Sequence, residues 1–301
     1  MTRPDVFDRN LVRQRRERAA KDFGEVDFLV RHVAGLLIER LGDVRRRFPL
    51  ALDLGCHTGE LGRALAREGQ VDEVIGADLA PGMATRADGL RVVADEEVLP
   101  FGRNTFDLVI SAWSLHWVND LPGTLVQLHH ALKPDGLLVA ALPGVGTLAE
   151  LREALVQAES DLTGGAALRV SPFVDVRDAG MLLQRAGFAL PVVDLEPLTV
   201  SYPHPIKLLA ELRAMGETAA PADGGRPLGR ATLQRALELY LERFDDGRGR
   251  VPATFNVVVM TAWKPDPSQQ QPSLRGSGQI NLARALDVPL AVLEGNAKPE
   301  R

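Results

Sequence analysis

Residues 50–62 read LALDLGCHTGELG, an apolar run followed by an acid, two spaced glycines and a helical stretch. A glycine-rich turn from strand to helix lets a ligand approach the backbone, because glycine has no Cβ, and aims the first helical amides at it. The spacing of Gly55 and Gly59 is not G-x-G-x-x-G, and Asp53 stands before the first glycine. An acid there repels a pyrophosphate and suits a cationic ligand, such as a sulfonium carrying an amino-acid ammonium. Asp78 ends the next apolar run in VIGADLAPGM, where a carboxylate can accept both hydroxyls of a ribose. Asp95 and Glu96 follow the third run in VVADEEVLPF, placed for an adenine amino group and its ring. Any one of these groups is common, but four successive strand ends presenting them in order is not.

The fourth run leads through FDLVISAWSLHWV to His116, between Trp113 and Trp117. His116 lies where an acceptor would meet a transferred group, so it is a candidate for acid–base or substrate contact; the plainer reading packs it between the two indoles. Those rings read as wall or core, although an aromatic face can also stabilise a sulfonium or a guanidinium. Tyr202, at the exit of the sixth strand-like run, is a second candidate that could equally cap a core. A non-haem iron site needs two histidines and a carboxylate around one metal. His129 and His130 are helical neighbours that point apart, and His32 and His204 fall in helical flanks, so no protein-bound metal is expected. Cys56 is the only cysteine; it reads as a packing residue in the turn, excludes an intramolecular disulfide and fits a reducing compartment.

These groups need a scaffold of alternating strands and helices. Apolar runs at 50–54, 73–78, 91–94, 106–112 and 136–142 predict strands, with helices near 59–68, 80–87, 121–132 and 148–160. An amphipathic helix is expected within 25–47, and the Arg-rich stretches at 13–18 and 45–47 read as solvated faces. Two more strands, 191–202 and 254–263, flank helices at 204–216 and 228–244. The expectation is an N-terminal helical segment over 1–47 and a doubly wound α/β domain over 48–264. Helical insertions at about 144–190 and 204–250 would form its lid. PDPSQQQPSLRGSG at 265–278 opens a partly disordered linker and tail to 301.

The composition agrees: 45% apolar and 25% charged residues in 301 suit one or two globular domains. A net charge of -5 gives no pull toward nucleic acid, and no apolar run approaches the roughly 20 residues that span a bilayer. The first 22 residues mix arginines with Asp5, Asp8, Glu17 and Asp22, unlike an acid-poor presequence, so a cytoplasmic protein is expected, with peripheral membrane association left open.

The ordered motifs from 50 to about 142 resemble those of the seven-stranded S-adenosylmethionine-dependent methyltransferases. That resemblance implies a Rossmann-like methyltransferase sheet and S-adenosylmethionine as cofactor. Asp53, Gly55, Cys56, His57 and Gly59 would then line its methionine end, Asp78 the ribose and Asp95 with Glu96 the adenine, with Leu79, Met83 and Ser111 also in contact. The family usually has glycine at the position of His57, so a side chain here implies crowding of the cofactor or an unusual backbone conformation. A narrower resemblance covers nearly the whole chain. VFDRNLVRQRRERAA, FPLALDLGCHTGEL, ADEEVLPFGRNTFDLVISAWSLHWVNDLPGTL, RVSPFVDVRDAGMLLQRAGF and VPATFNVVVMTAWK resemble the methyltransferase-like assembly factors of respiratory complex I. In that family the mitochondrial member hydroxylates an arginine of the complex I iron–sulfur subunit nearest quinone; a bacterial member would lack a presequence. The LHWVND region also resembles the enzyme that methylates a malonyl thioester, which leaves a carrier-bound carboxylate as the alternative acceptor. A non-catalytic assembly chaperone is the third reading.

Overall fold

The computed structural model describes residues 5–270. Residues up to Asp266 form one compact unit, and the expected linker and tail over 265–301 lie almost wholly outside the described residues. Seven strands form one sheet: β1 (Phe48–Leu54), β2 (Val71–Asp78), β3 (Leu90–Val93), β4 (Phe106–Ala112), β5 (Leu132–Pro143), β6 (Ala189–Tyr202) and β7 (Val251–Trp263). Their order is β3-β2-β1-β4-β5-β7-β6. β1 to β5 pair in parallel, while β7 runs antiparallel between β5 and β6. The sheet is therefore mixed, because the last strand returns against its neighbours. All seven residues of β4 are buried, as a central strand covered on both faces requires. Edge strand β6 instead alternates between partly buried and exposed.

Alternate strand residues feed two cores. Ala51, Leu108, Ile110, Val139 and Val257 point to one face, and Leu52, Leu54, Val109, Leu138 and Val258 to the other. The first face is covered by α2 (Phe28–Gly42), whose Leu29, Val33, Leu37 and Leu41 form one stripe, and by α3 (Glu60–Glu68). The second is covered by α5 (Leu121–Ala131) and α7 (Val176–Arg185). α4 (Pro81–Ala84) is a single turn that stops short of the expected 80–87. The inserted helices α6 (Ala149–Thr163), α8 (Pro205–Ala214) and α9 (Arg230–Phe244) pack over the first core, with Arg243 on α9 bonded to Glu153 on α6 at 2.7 Å.

Two features depart from the sequence expectation. α7, not singled out within the helical insertion expected at about 144–190, is built on Ala179 and Leu183 four residues apart and packs on the second core instead of joining a lid. The arginines at 13–18 are not all solvated: they lie on α1 (Arg9–Ala19), and Arg16 is 1% exposed.

Because β1 and β4 are neighbours whose following strands run to opposite sides, the crevice in which open α/β sheets take ligands falls at their carboxyl ends, where α1 covers it.

Candidate active site

The turn after β1 forms the floor of this crevice. Gly55 and Gly59 hold left-handed φ of 70° and 93°. A Cβ on Gly55 would overlap the Ser114 side chain, and one on Gly59 would lie 2.9 Å from the Ala87 Cα. Both glycines are thus demanded by neighbouring loops as well as by their own backbone conformation. Asp53 is 1% exposed, and its Oδ1 has no hydrogen-bond partner. Burial, with Glu60 and Asp78 nearby, pushes its carboxyl up to about 8. Cys56 is buried and free; burial raises its thiol, and its Sγ packs toward Gly76, so it closes the floor as an inert side chain.

His57 adopts φ 49°, a conformation that favours glycine. Its ring stacks on Phe23 at 5.3 Å between centroids, and its Nε2 lies 3.0 Å from the Ala112 carbonyl at the end of β4. Its backbone N–H donates to Asp78 Oδ2 at 3.1 Å, while the Ala80 N–H donates to Oδ1 at 2.8 Å. Asp78 is fully buried, and burial lifts its carboxyl above the ordinary range despite Arg16 nearby. Leu79 and Met83 are buried beside it. Ser111 Oγ donates to the Leu54 carbonyl at 2.7 Å, which pins β4 to β1 and leaves its hydroxyl hydrogen turned from the crevice.

Asp95 and Glu96 meet cations from α1. Arg9 donates to Asp95 at 2.6 Å and also to Glu96. Arg16 donates to Glu96 Oε1 at 2.9 Å and to Ser114 Oγ at 3.1 Å, and comes within 3.8 Å of Asp78. Burial works against the Glu96 charge, yet Arg16, Arg9 and the Ser114 hydroxyl hold its carboxyl down at about 2. Burial likewise opposes the Arg16 charge, and Asp78, Glu96 and Glu217 more than offset it.

A chamber of about 190 Å³ lies on the turn after β4. Trp113, at φ 57°, His116, Trp117, Phe173 and Phe255 supply its aromatic walls; α6 and α8 close it with Leu151, Leu155, Leu209 and Leu212. His116 Nε2 pairs with Glu217 Oε2 at 2.9 Å, and Trp117 Nε1 donates to the same oxygen at 3.1 Å. Glu217 follows α8 and was not singled out in the sequence; its only local signal is an acid just after the helix-ending Gly216. His116 Nδ1 is buried without a partner. Tyr202 does not line the chamber: it packs in the first core toward Glu211 and Tyr240, and burial raises its hydroxyl well above the ordinary value. The fold thus brings Asp53, His57, Asp78 and Glu96 into one crevice with His116 beside it, and leaves Tyr202 outside. No group of three or more metal-type side chains occurs among the described residues, and none of their helices is long and apolar enough to cross a membrane.

A methyltransferase domain model matches residues 52–140. Two solved structures share the fold: the YcgJ protein of Bacillus subtilis and a putative methyltransferase of Bacillus halodurans. Both have a TM-score of 0.54, at 16% and 18% identity, covering 78% and 77% of this chain and 99% of each of theirs. The molecule is a methyltransferase-fold protein, an enzyme class whose cofactor is S-adenosylmethionine. Over 285 residues it is 39% identical to the mitochondrial arginine-hydroxylase NDUFAF5 of Danio rerio, covering 93% of this chain and 89% of that one. The human NDUFAF5 is 40% identical over 92% of this chain and 82% of its own. A malonyl-[acyl-carrier protein] O-methyltransferase of Gallionella capsiferriformans is 37% identical over 87% of this chain and 93% of its own. The chain belongs to the family of methyltransferase-fold proteins that contains the NDUFAF5 arginine hydroxylases and, at lower identity, these O-methyltransferases. The unpartnered buried Asp53 oxygen is of the kind a cationic cofactor would take, while Asp78 is engaged by the His57 and Ala80 N–H groups and Glu96 by Arg9, Arg16 and Ser114.

Proposed function

We propose that this protein binds S-adenosylmethionine and modifies an arginine side chain of a protein, the iron–sulfur subunit of respiratory complex I, from the cytoplasmic side of a bacterial membrane. The observation that carries the reading is the chamber beside the crevice: aromatic faces of Trp113, Trp117 and Phe173 around the buried Glu217 carboxylate. That combination suits a guanidinium, which gains from aromatic faces and needs a desolvated counter-ion.

The cofactor, when bound, supplies a sulfonium-activated methyl group. Asp53 and Asp78 would hold it, Asp53 as counter-ion once the arriving cation displaces its proton and Asp78 as acceptor for hydroxyls. Glu217, which holds the His116 ring before the acceptor arrives, would orient the acceptor guanidinium, and His116, whose Nδ1 has no partner, would take or give a proton. α6 and α8 would act as the lid, their leucines keeping water from the chamber. A malonyl thioester would bring its own carboxylate against Glu217. Arg169, the one cation on the chamber wall, is already bonded to Glu159 at 2.9 Å, so the arginine reading is favoured.

The test is calorimetric titration with S-adenosylmethionine, followed by incubation with the iron–sulfur subunit and peptide mass analysis. Micromolar binding is expected, weakened roughly tenfold or more in Asp78→Ala, the scale of one lost polar partner. An arginine peptide heavier by one oxygen marks hydroxylation and one heavier by a methylene marks methylation. Methyl transfer to malonyl-acyl carrier protein with an unmodified subunit would overturn the arginine reading.

A further inference from the structure

The crevice carboxylates are not free: guanidiniums of α1 already hold them. Arg16 is among the largest fully buried side chains of the described residues, and each close polar contact of its guanidinium is a crevice group, namely Glu96, Ser114 and Asp78. Arg9 adds Asp95 and Glu96. Of α1 only Val12, Arg16 and Ala19 are buried, and Val12 joins Phe7, Leu79, Trp117 and Ala220 in a small apolar cluster apart from the two main cores. Polar latches add to that cluster. The Val6 and Phe7 N–H groups donate to Asn119 Oδ1, each at 2.8 Å, and Asp8 N–H donates to the Ala220 carbonyl at 2.9 Å. Arg15 donates to the Thr218 and Ala219 carbonyls, and Ala222 N–H to the Val6 carbonyl at 3.0 Å. Residues 5–19 and 217–222 are thereby tied into one strap across the crevice, and that strap carries Glu217, whose acceptors serve His116 and Trp117.

We propose that this strap is displaceable: Arg16 and Arg9 occupy the carboxylates of the crevice until the cofactor exchanges for them, and their withdrawal releases Glu217 from His116 to meet an incoming guanidinium. A buried carboxylate must keep a donor, so Arg16 leaves only as the hydroxyls and amino group of a nucleoside arrive; the exchange swaps one set of donors for another. Cofactor binding would then precede acceptor binding, because the latched Glu217 is engaged. The same exchange explains why the arginines sit on segments held by one small apolar cluster and by polar latches, since such segments open at lower free energy than the main cores. This inference rests on the cofactor reading above.

The experiment uses the full chain with S-adenosylhomocysteine as the probe. Limited trypsinolysis with and without it reports on the strap, because α1 carries Arg13, Arg15 and Arg18 on its length. Saturating probe is expected to speed cleavage within α1 by about fivefold. Calorimetry is run in parallel on Asn119→Ala, which loosens a latch without touching the crevice, and on Arg16→Gln. Asn119→Ala is expected to bind the probe more tightly, by up to about tenfold if a tenth of the parent molecules are unlatched. Should Arg16→Gln fail to fold, Asn119→Ala and the trypsin pattern still decide. Binding accompanied by slowed or unchanged cleavage of α1, or by unchanged or weaker affinity in Asn119→Ala, overturns the strap and leaves the cofactor reading standing. No binding to the parent or to any variant overturns the cofactor reading itself, and the strap falls with it.

Discussion

His57 and Trp113 both hold the left-handed backbone conformation, and they face the same strand end, where the His57 ring engages the Ala112 carbonyl. Strain of this kind costs about 1–3 kcal/mol per residue and persists where the surroundings impose it. His57→Gly relieves the strain and frees the Ala112 carbonyl as an acceptor. The variant is expected to bind S-adenosylmethionine several-fold more tightly while melting at a lower temperature, because the Phe23 stack and the Ala112 contact are lost; calorimetry and a thermal melt check it, and an unchanged constant would refute the crowding idea. Asp53, Asp78, Asp95 and Glu96 were legible as residues because each ends an apolar run. Arg16 and Glu217 were not. Arg16 meets Glu96 across 80 positions and Ser114 across 98, and Glu217 meets His116 across 101. No local pattern encodes partners at that distance, and an arginine in an arginine-rich stretch reads as solvated until its counter-ions are in place.

The elements that could be read are those whose apolar spacing speaks for itself: the strand-like runs, the stripe of α2 and the paired helices of the insertions. Within the expected helical segment over 1–47 the burial of Arg16 on α1 could not be read, and within the expected helical insertion at about 144–190 α7 was not singled out because two small apolar steps do not stand out from a mixed background. The turn between β1 and α3 is the element on which the site depends most. At Gly55 a side chain must adopt φ 70° and displace Ser114, the hydroxyl that bonds Glu96 at 2.6 Å. Gly55→Ala is expected to lower stability by about 2–3 kcal/mol, the sum of a left-handed alanine and an overpacked contact. A melting temperature within 1–2 °C of the parent, on the order expected for under 1 kcal/mol, would contradict that account.

Across the whole molecule the buried acids pull stability in opposite directions with pH. Glu96 titrates at about 2 against an ordinary 4.5, held down by Arg16 and Arg9 against the cost of burial, so its contribution is complete above about 4.5 and is lost as pH falls toward 2. Glu217, facing His116, shifts in the same direction. Asp53 does the reverse: burial beside Glu60 lifts it from 3.8 to about 8, so its contribution is complete below 3.8 and is lost as pH rises through 8. Asp78 shifts the same way. Thermal melts from pH 3 to 9 should peak near about pH 5, on the acid side of neutrality, where both sets coexist; a maximum at or above pH 8 would show that Asp53 is ionised in the fold. The order of the strands has its own consequence for how the chain is made. β7 is the sole sheet neighbour of β6, yet it is synthesised last of the seven. A growing chain therefore presents β6 with both edges unpaired until residues 251–263 emerge, and this interval is the one in which the nascent protein most needs protection from pairing with another chain.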